Sequence, residues 1–309
     1  MMRVTGLIRD PAGRLSWLKA ATLVAVTLPA LVLLLRWRAN DLGARPITEA
    51  IHVTGLWALR FLLITLAVTP ARALLDWPRV VMLRRMLGVT TACYAVAHLL
   101  LYGLDQKWNL GKVASEIALR FYLTIGFATL LGLLALAITS TDGWQRRLGR
   151  KWKRLHSIVF VLAGLALFHA GVQFKADVSI PVFLFGLFAF LLLWRRLPRR
   201  LQAKPWPVPA LALGAALVAA LGEAAWYAVR NHTDPWLVLQ TNLVLAYGAR
   251  PAVQVLFAGV VLTALVLARW LIRTRRRRLP RGALRQAGGS VSRRPRCPRR
   301  RTPLPAWRS

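Results

Sequence analysis

Residues 155–171 read LHSIVFVLAGLALFHAG. Two histidines, His156 and His169, close off a stretch that holds no charge and a single hydroxyl. A run this apolar reads as a membrane-crossing helix. Crossing hydrocarbon takes roughly 20 residues, and a helix satisfies its own backbone polar groups where water is absent. At about 1.5 Å per residue, the thirteen-residue step sets the imidazoles roughly 20 Å apart along the helix. They therefore lie toward opposite faces of the membrane. Ionisable side chains at such depth are costly and are functional candidates by default.

The same pattern recurs along the chain. Eight candidate spans fall at about 18–35, 50–69, 86–104, 120–139, 156–174, 178–194, 208–229 and 252–272. Pro181 suits the first turn of the sixth, and Pro29 is tolerable inside a bundle. Of the 309 residues 57% are hydrophobic and 17% charged, where a soluble domain carries about 25% charged residues. The fold class is therefore an all-α membrane protein. The N-terminal run has no cleavage pattern before it and is expected to be a retained span. Cys93 and Cys297 lie in a span and in the tail, so neither a disulfide framework nor a cysteine metal site is expected.

Charge is lopsided, with 44 Lys+Arg against 10 Asp+Glu. The basic residues cluster in alternate connections: Arg72–Arg85, Arg146–Arg154, Arg195–Lys204, and from Arg273 onward. By the positive-inside rule these connections are cytoplasmic, which places both termini in the cytoplasm. Arg36, Arg38 and Arg45 run against this assignment. Residues 273–309 form a Pro/Arg/Gly/Ser tail without an acidic residue, expected to be disordered and to touch anionic lipid. No nucleic-acid fold accompanies the charge, so nucleic acid is not expected as a partner.

The depth of the histidines narrows the chemistry. The third span contains TACYAVAHLLLYG (91–103), and His98 falls fourteen residues after Arg84. His169 falls thirteen residues after His156, so His98 and His169 share one depth toward the outer leaflet. Two neutral imidazoles from neighbouring helices at one depth suit the axial positions of a six-coordinate heme. His156 lies at the depth of Arg84 on the cytoplasmic side, where it is placed to hold a second centre. A thirteen-residue step ends roughly 140° away around a helix, so the fifth span must tilt or bend if both its histidines serve cofactors. A proton or ion pathway and purely structural histidines remain open readings, whereas zinc lacks clustered carboxylates or cysteines. His52 reads as interfacial, His232 as solvated beside Asp234, and Glu223, near the outer end of the seventh span, as interfacial. No G-x-G-x-x-G pattern is present, so the chain is not expected to oxidise a nicotinamide itself.

At these residues the sequence resembles a known family. GLWALRFLLITLAVTPAR (55–72), RRMLG (84–88), YAVAHLLLY (94–102), ALAITS (135–140), LGRKWKRLHSIVF (148–160) and the closing His169 occur in order. Together they make residues 50–200 similar to the MsrQ (YedZ) family, the heme-binding membrane subunits of periplasmic methionine-sulfoxide reductase systems. These belong to the ferric-reductase-like transmembrane proteins.

The resemblance implies a six-span heme-binding bundle, preceded by the 1–49 segment with the first span and followed by two extra spans in 201–272 and the basic 273–309 tail. It implies heme b, with FMN also associated, and a bacterial inner-membrane location. It also implies a periplasmic molybdopterin partner that reduces methionine sulfoxide in envelope proteins. The chain would then be an electron-transfer subunit rather than the catalytic one. A cytoplasmic flavin reductase or membrane quinol would be its donor. His98, His156 and His169 match the family's histidines, with His98 and His169 sharing the outer heme. Where larger relatives carry a further histidine, this chain has Arg84, open both to pairing with a heme propionate and to acting only as a topology-setting cytoplasmic charge. Arg120, in LRFYLTIG (119–126), matches a family position usually followed by Pro and here followed by Phe121. A propionate contact and an interfacial anchor are both open to it. The competing functions are a ferric-chelate reductase-like electron carrier and a hemeless transporter or assembly factor.

Overall fold

The computed structural model describes residues 14–174, 177–242, 244 and 248–278. Among these residues eight helices are long and apolar enough to cross a membrane, one for each span expected, and the protein is a multi-pass membrane protein. In chain order the helices are α1 (Trp17–Arg38), α2 (Pro46–Leu74), α3 (Arg84–Asp105), α4 (Leu110–Leu119), α5 (Phe121–Ile138), α6 (Asp142–Leu148), α7 (Arg150–Ser157), α8 (Val159–Gln173), α9 (Ser179–Arg196), α10 (Pro207–Asn231), α11 (Pro235–Thr241) and α12 (Pro251–Arg278). A 3₁₀ turn, Pro78–Leu83, leads into α3. Pro46 and Pro207 stand in the first turn of their helices, where a missing N–H costs nothing. Asn109 caps α4 by accepting from the Lys112 amide at 3.0 Å.

α2 is the central helix. Leu59, Leu62, Leu63 and Leu66 pack into a core with α5, α8, α9, α10 and α12. Its Ala58, Phe61 and Val68 join a second cluster with α1, the 3₁₀ turn and α3. Small residues let the C-terminal helices approach closely. A side chain at Gly186 would collide with Val255, and one at Gly259 with Ala212, the small-residue packing that joins helices in lipid. α1 keeps Trp17, Val24, Leu28, Leu31 and Leu35 on the outside, an apolar surface matched to acyl chains. It is tied down at its proline. Pro29 disrupts the local helix ladder, and the Tyr94 hydroxyl enters beside it, accepting from the Ala30 amide at 3.1 Å and donating to the Val26 carbonyl at 2.8 Å.

The fifth span breaks at Ile158, between α7 and α8. On either side of it, His156 and His169 line different cavities. One expectation is corrected. Glu223 is not interfacial but fully buried, because Arg250 reaches it at 3.0 Å and the Asn242 amide donates to it at 3.3 Å. Residues up to Leu267 belong to the bundle as one unit. Of the basic tail, residues 273–278 continue α12 as helix, and 279–309 lie outside the described residues.

Candidate functional site

His98 on α3 and His169 on α8 face each other, with ring centroids 6.4 Å apart and planes at 90°. Each ring is fixed through its Nδ1. His98 Nδ1 lies 2.8 Å from the Ile51 carbonyl on α2, and His169 Nδ1 lies 2.7 Å from the Tyr122 carbonyl on α5. A carbonyl only accepts, so Nδ1 carries the proton and Nε2 keeps its lone pair. Two bonds of about 2 Å from imidazole nitrogen to one metal ion, plus the half-width of each ring, add up to roughly the spacing seen. Backbone hydrogen bonds of this kind orient metal-ligating histidines.

Room for the rings comes from two glycines. A Cβ on Gly55 of α2 would lie 2.9 Å from His98 Nδ1, and one on Gly126 of α5 would lie 2.7 Å from His169 Cε1. The imidazoles therefore lie directly on neighbouring helix backbones. Both rings line a cleft with an empty volume of about 1170 Å³, its open mouth included, walled mainly by apolar side chains such as Leu59, Leu62, Phe127 and Leu130. His52 is exposed, as an interfacial residue would be, but it also borders this cleft and stacks on Phe174 with centroids 6.0 Å apart. At the rim, Tyr102 donates to Glu116 at 2.6 Å.

A second cavity, with an empty volume of about 1110 Å³ that includes its open mouth, lies along the same helices, and Leu62 and Leu133 line both. It brings together Arg84, Arg85, Ser140, Gln145, Trp152 and His156. His156 stacks on Trp152 with centroids 3.9 Å apart. Its Nδ1 lies 3.2 Å from the Trp152 carbonyl and its Nε2 3.3 Å from the Ser140 hydroxyl. Arg85 pairs with Asp142 at 2.8 Å. No second histidine lines this cavity.

The pairings His98 with His169 and Arg84 with His156 are thus each gathered in one cavity. Arg120 lines neither cavity. It is exposed, precedes α5, and is held by Glu116 at 3.5 Å and the Tyr122 hydroxyl at 3.3 Å. Both contacts favour its charged form and raise its pKa. His232 is exposed at the end of α10, in the left-handed conformation. No group of three or more metal-binding side chains occurs among the described residues. Sequence reasoning missed Gly55, Gly126 and the two carbonyls. Glycines inside spans two and four were the visible signal; the carbonyls left none.

Paired imidazoles from two spans of a helical bundle, facing across one apolar cleft, define a class of membrane protein. Residues 54–167 match the family described as "Ferric reductase like transmembrane component". A relative from Xanthomonas euvesicatoria pv. vesicatoria, named "Protein-methionine-sulfoxide reductase heme-binding subunit MsrQ", is 44% identical over 189 residues, 58% of this chain and 87% of the relative. A relative of the same name from Rhodospirillum rubrum is 42% identical over 192 residues, 62% of this chain and 90% of the relative. The chain belongs to the MsrQ family. No solved structure matches it.

Proposed function

We propose that this chain holds a b-type heme between His98 and His169 and serves as the membrane electron-transfer subunit of a methionine-sulfoxide reductase system. The observation that carries the reading is the pair of imidazoles 6.4 Å apart with both Nδ1 atoms committed to backbone carbonyls. The group fits the residues present: the cleft is apolar and opens at its mouth, both imidazoles line it, and the two glycines leave space for their rings. Heme with both axial positions filled supplies one-electron transfer and disfavours oxygen chemistry.

The chain's own contribution is placement. His98 and His169 supply the ligand nitrogens, Ile51 and Tyr122 hold the rings in orientation, and the leucine walls exclude water. The relatives' name supports heme and a reductase partner. Flavin mononucleotide appears in no such name, and no described cluster argues for it. The second cavity offers one imidazole, so a second bis-imidazole heme does not fit there. His156 and Arg84 are proposed as an inner cofactor site in which Arg84 meets an acidic group such as a propionate.

The alternation of basic connections supports a bacterial inner-membrane location with the His98–His169 level toward the periplasm. The partner is then a periplasmic methionine-sulfoxide reductase, which carries out the chemistry on oxidised envelope proteins.

The test is an absorption and electron paramagnetic resonance spectrum of the purified full chain. Reducible b-type bands with a low-spin, bis-imidazole signature are expected. His98→Ala and His169→Ala each abolish that signature, while His52→Ala retains it. A colourless protein, or a pigment indifferent to His98→Ala, overturns the proposal.

A further inference from the structure

Arg60 stands at the midpoint of α2. Fourteen residues separate it from Pro46 and fourteen from Leu74, about 21 Å of helix on either side. The hydrocarbon layer is about 30 Å thick, so its guanidinium lies near the centre and cannot reach either headgroup layer. Charged side chains at this depth pair with an opposite charge or face a polar interior. Arg60 does neither within this chain. Its guanidinium lies 4.9 Å from the centre of the Trp57 ring, and no hydrogen bond or ion pair reaches it among the described residues.

Its direction is set by the helix. The cleft side of α2 carries Ile51, Gly55, Leu59 and Leu62. On one flank Leu63 and Leu66 join the core on the side of α9, and on the other Phe61 and Val68 join the cluster with α1 and α3. Arg60 and Ile64, one turn apart, fall between these flanks. Ile64 is 46% exposed and is the one exposed position of α2 between residues 53 and 70.

We propose that this stripe seats a transmembrane helix of another protein, one that carries an aspartate or glutamate at mid-membrane. Charge decides the occupant. Among its described residues a second copy of this chain has no such acid to offer. Glu223 is fully buried against Arg250, and the other described acidic residues lie at helix ends, in connections or, for Glu116, in the short helix α4. A lipid phosphate lies at the surface, out of reach. The cleft cofactor lies on another face of α2.

The probe is a leucine–alanine host peptide of about 20 residues with one central Asp, compared with central Asn and with no polar residue. Association with the full chain is read by energy transfer in phosphatidylcholine vesicles. The Asp peptide is expected to bind roughly ten-fold tighter than the apolar one. Arg60→Gln erases the preference and Arg60→Lys keeps it. Ile64→Trp fills the seat without touching the charge and weakens all binding. Equal binding of the three peptides, or indifference to Arg60→Gln, overturns the proposal. So does loss of the Asp preference when phosphatidylglycerol is added, which would give the site to a lipid headgroup. Self-association of the chain that displaces the Asp peptide would also overturn it.

Discussion

Gly126 and Gly55 hold the histidines in place by having no side chain. The imidazole of His169 occupies the volume that a Cβ on Gly126 would need, and His98 does the same against Gly55. Overpacking of this kind costs about 1–3 kcal/mol. Part of that is relieved by turning the ring, which breaks the Nδ1 contact with the Tyr122 carbonyl. Gly126→Ala is therefore expected to lower heme affinity roughly ten-fold or more while both ligands remain. The heme-to-protein ratio and the low-spin signal of the purified variant check this, with Gly164→Ala as a control in open packing, since only Phe188 approaches that position, at 4.0 Å. Undiminished heme in Gly126→Ala would show that the ring has room to move. The histidines were legible in the sequence because an imidazole amid an apolar run has no local partner. The glycines were visible but ambiguous, since spans also use glycine for helix packing. The carbonyls of Ile51 and Tyr122 left no trace, because every residue carries one.

Elements were the most legible scale. Every expected span is a helix, since an apolar run of this length in a membrane has no other way to satisfy its backbone. What hydropathy did not reveal is how the spans are held. Tyr94 occupies the gap that Pro29 opens in α1, and it lies one turn before His98 on α3. Tyr94→Phe strands the Val26 carbonyl and the Ala30 amide and is expected to cost about 1–2 kcal/mol. The loss should appear as faster proteolysis or exchange in α1, with heme binding retained. α9 is held at its start by Asp177, which accepts from the Ser179 amide at 2.9 Å. Hydrogen bonds from Ser179 hold the Asp177 pKa below its ordinary value. A depressed carboxylate adds stability above its unfolded pKa and loses it as pH falls through the folded one. Asp177→Asn should therefore lower stability by a constant amount at neutral and basic pH, converge with the parent at acid pH, and so flatten the acid limb of the thermal-stability profile. An unaltered acid limb would remove Asp177 from the account.

At the scale of the whole molecule, the last two spans, α10 and α12, lie beyond the residues 54–167 that match the ferric-reductase-like family, and their attachment is partly ionic. Glu223 read as interfacial because its position near a helix end is all the sequence shows. Its burial depends on Arg250 arriving from 27 residues away and Asn242 from 19, which no local pattern announces. Taking a carboxylate out of water is costly unless a partner meets it, so removing one member of the pair strands the other. Arg250→Ala is expected to destabilise the chain by about 3–5 kcal/mol. The double change Glu223→Gln with Arg250→Gln leaves no uncompensated charge and should lose less than Arg250→Ala alone. Unfolding midpoints of the detergent-solubilised full chain measure both, and the heme spectrum of the same samples reports on the cleft. If the double variant regains stability, and the His98–His169 signature is unchanged throughout, the ion pair belongs to the attachment of α10 and α12 and not to the cleft. If the signature shifts with Arg250→Ala, α10 and α12 shape the environment of the paired imidazoles, and the cleft is not the work of residues 54–167 alone.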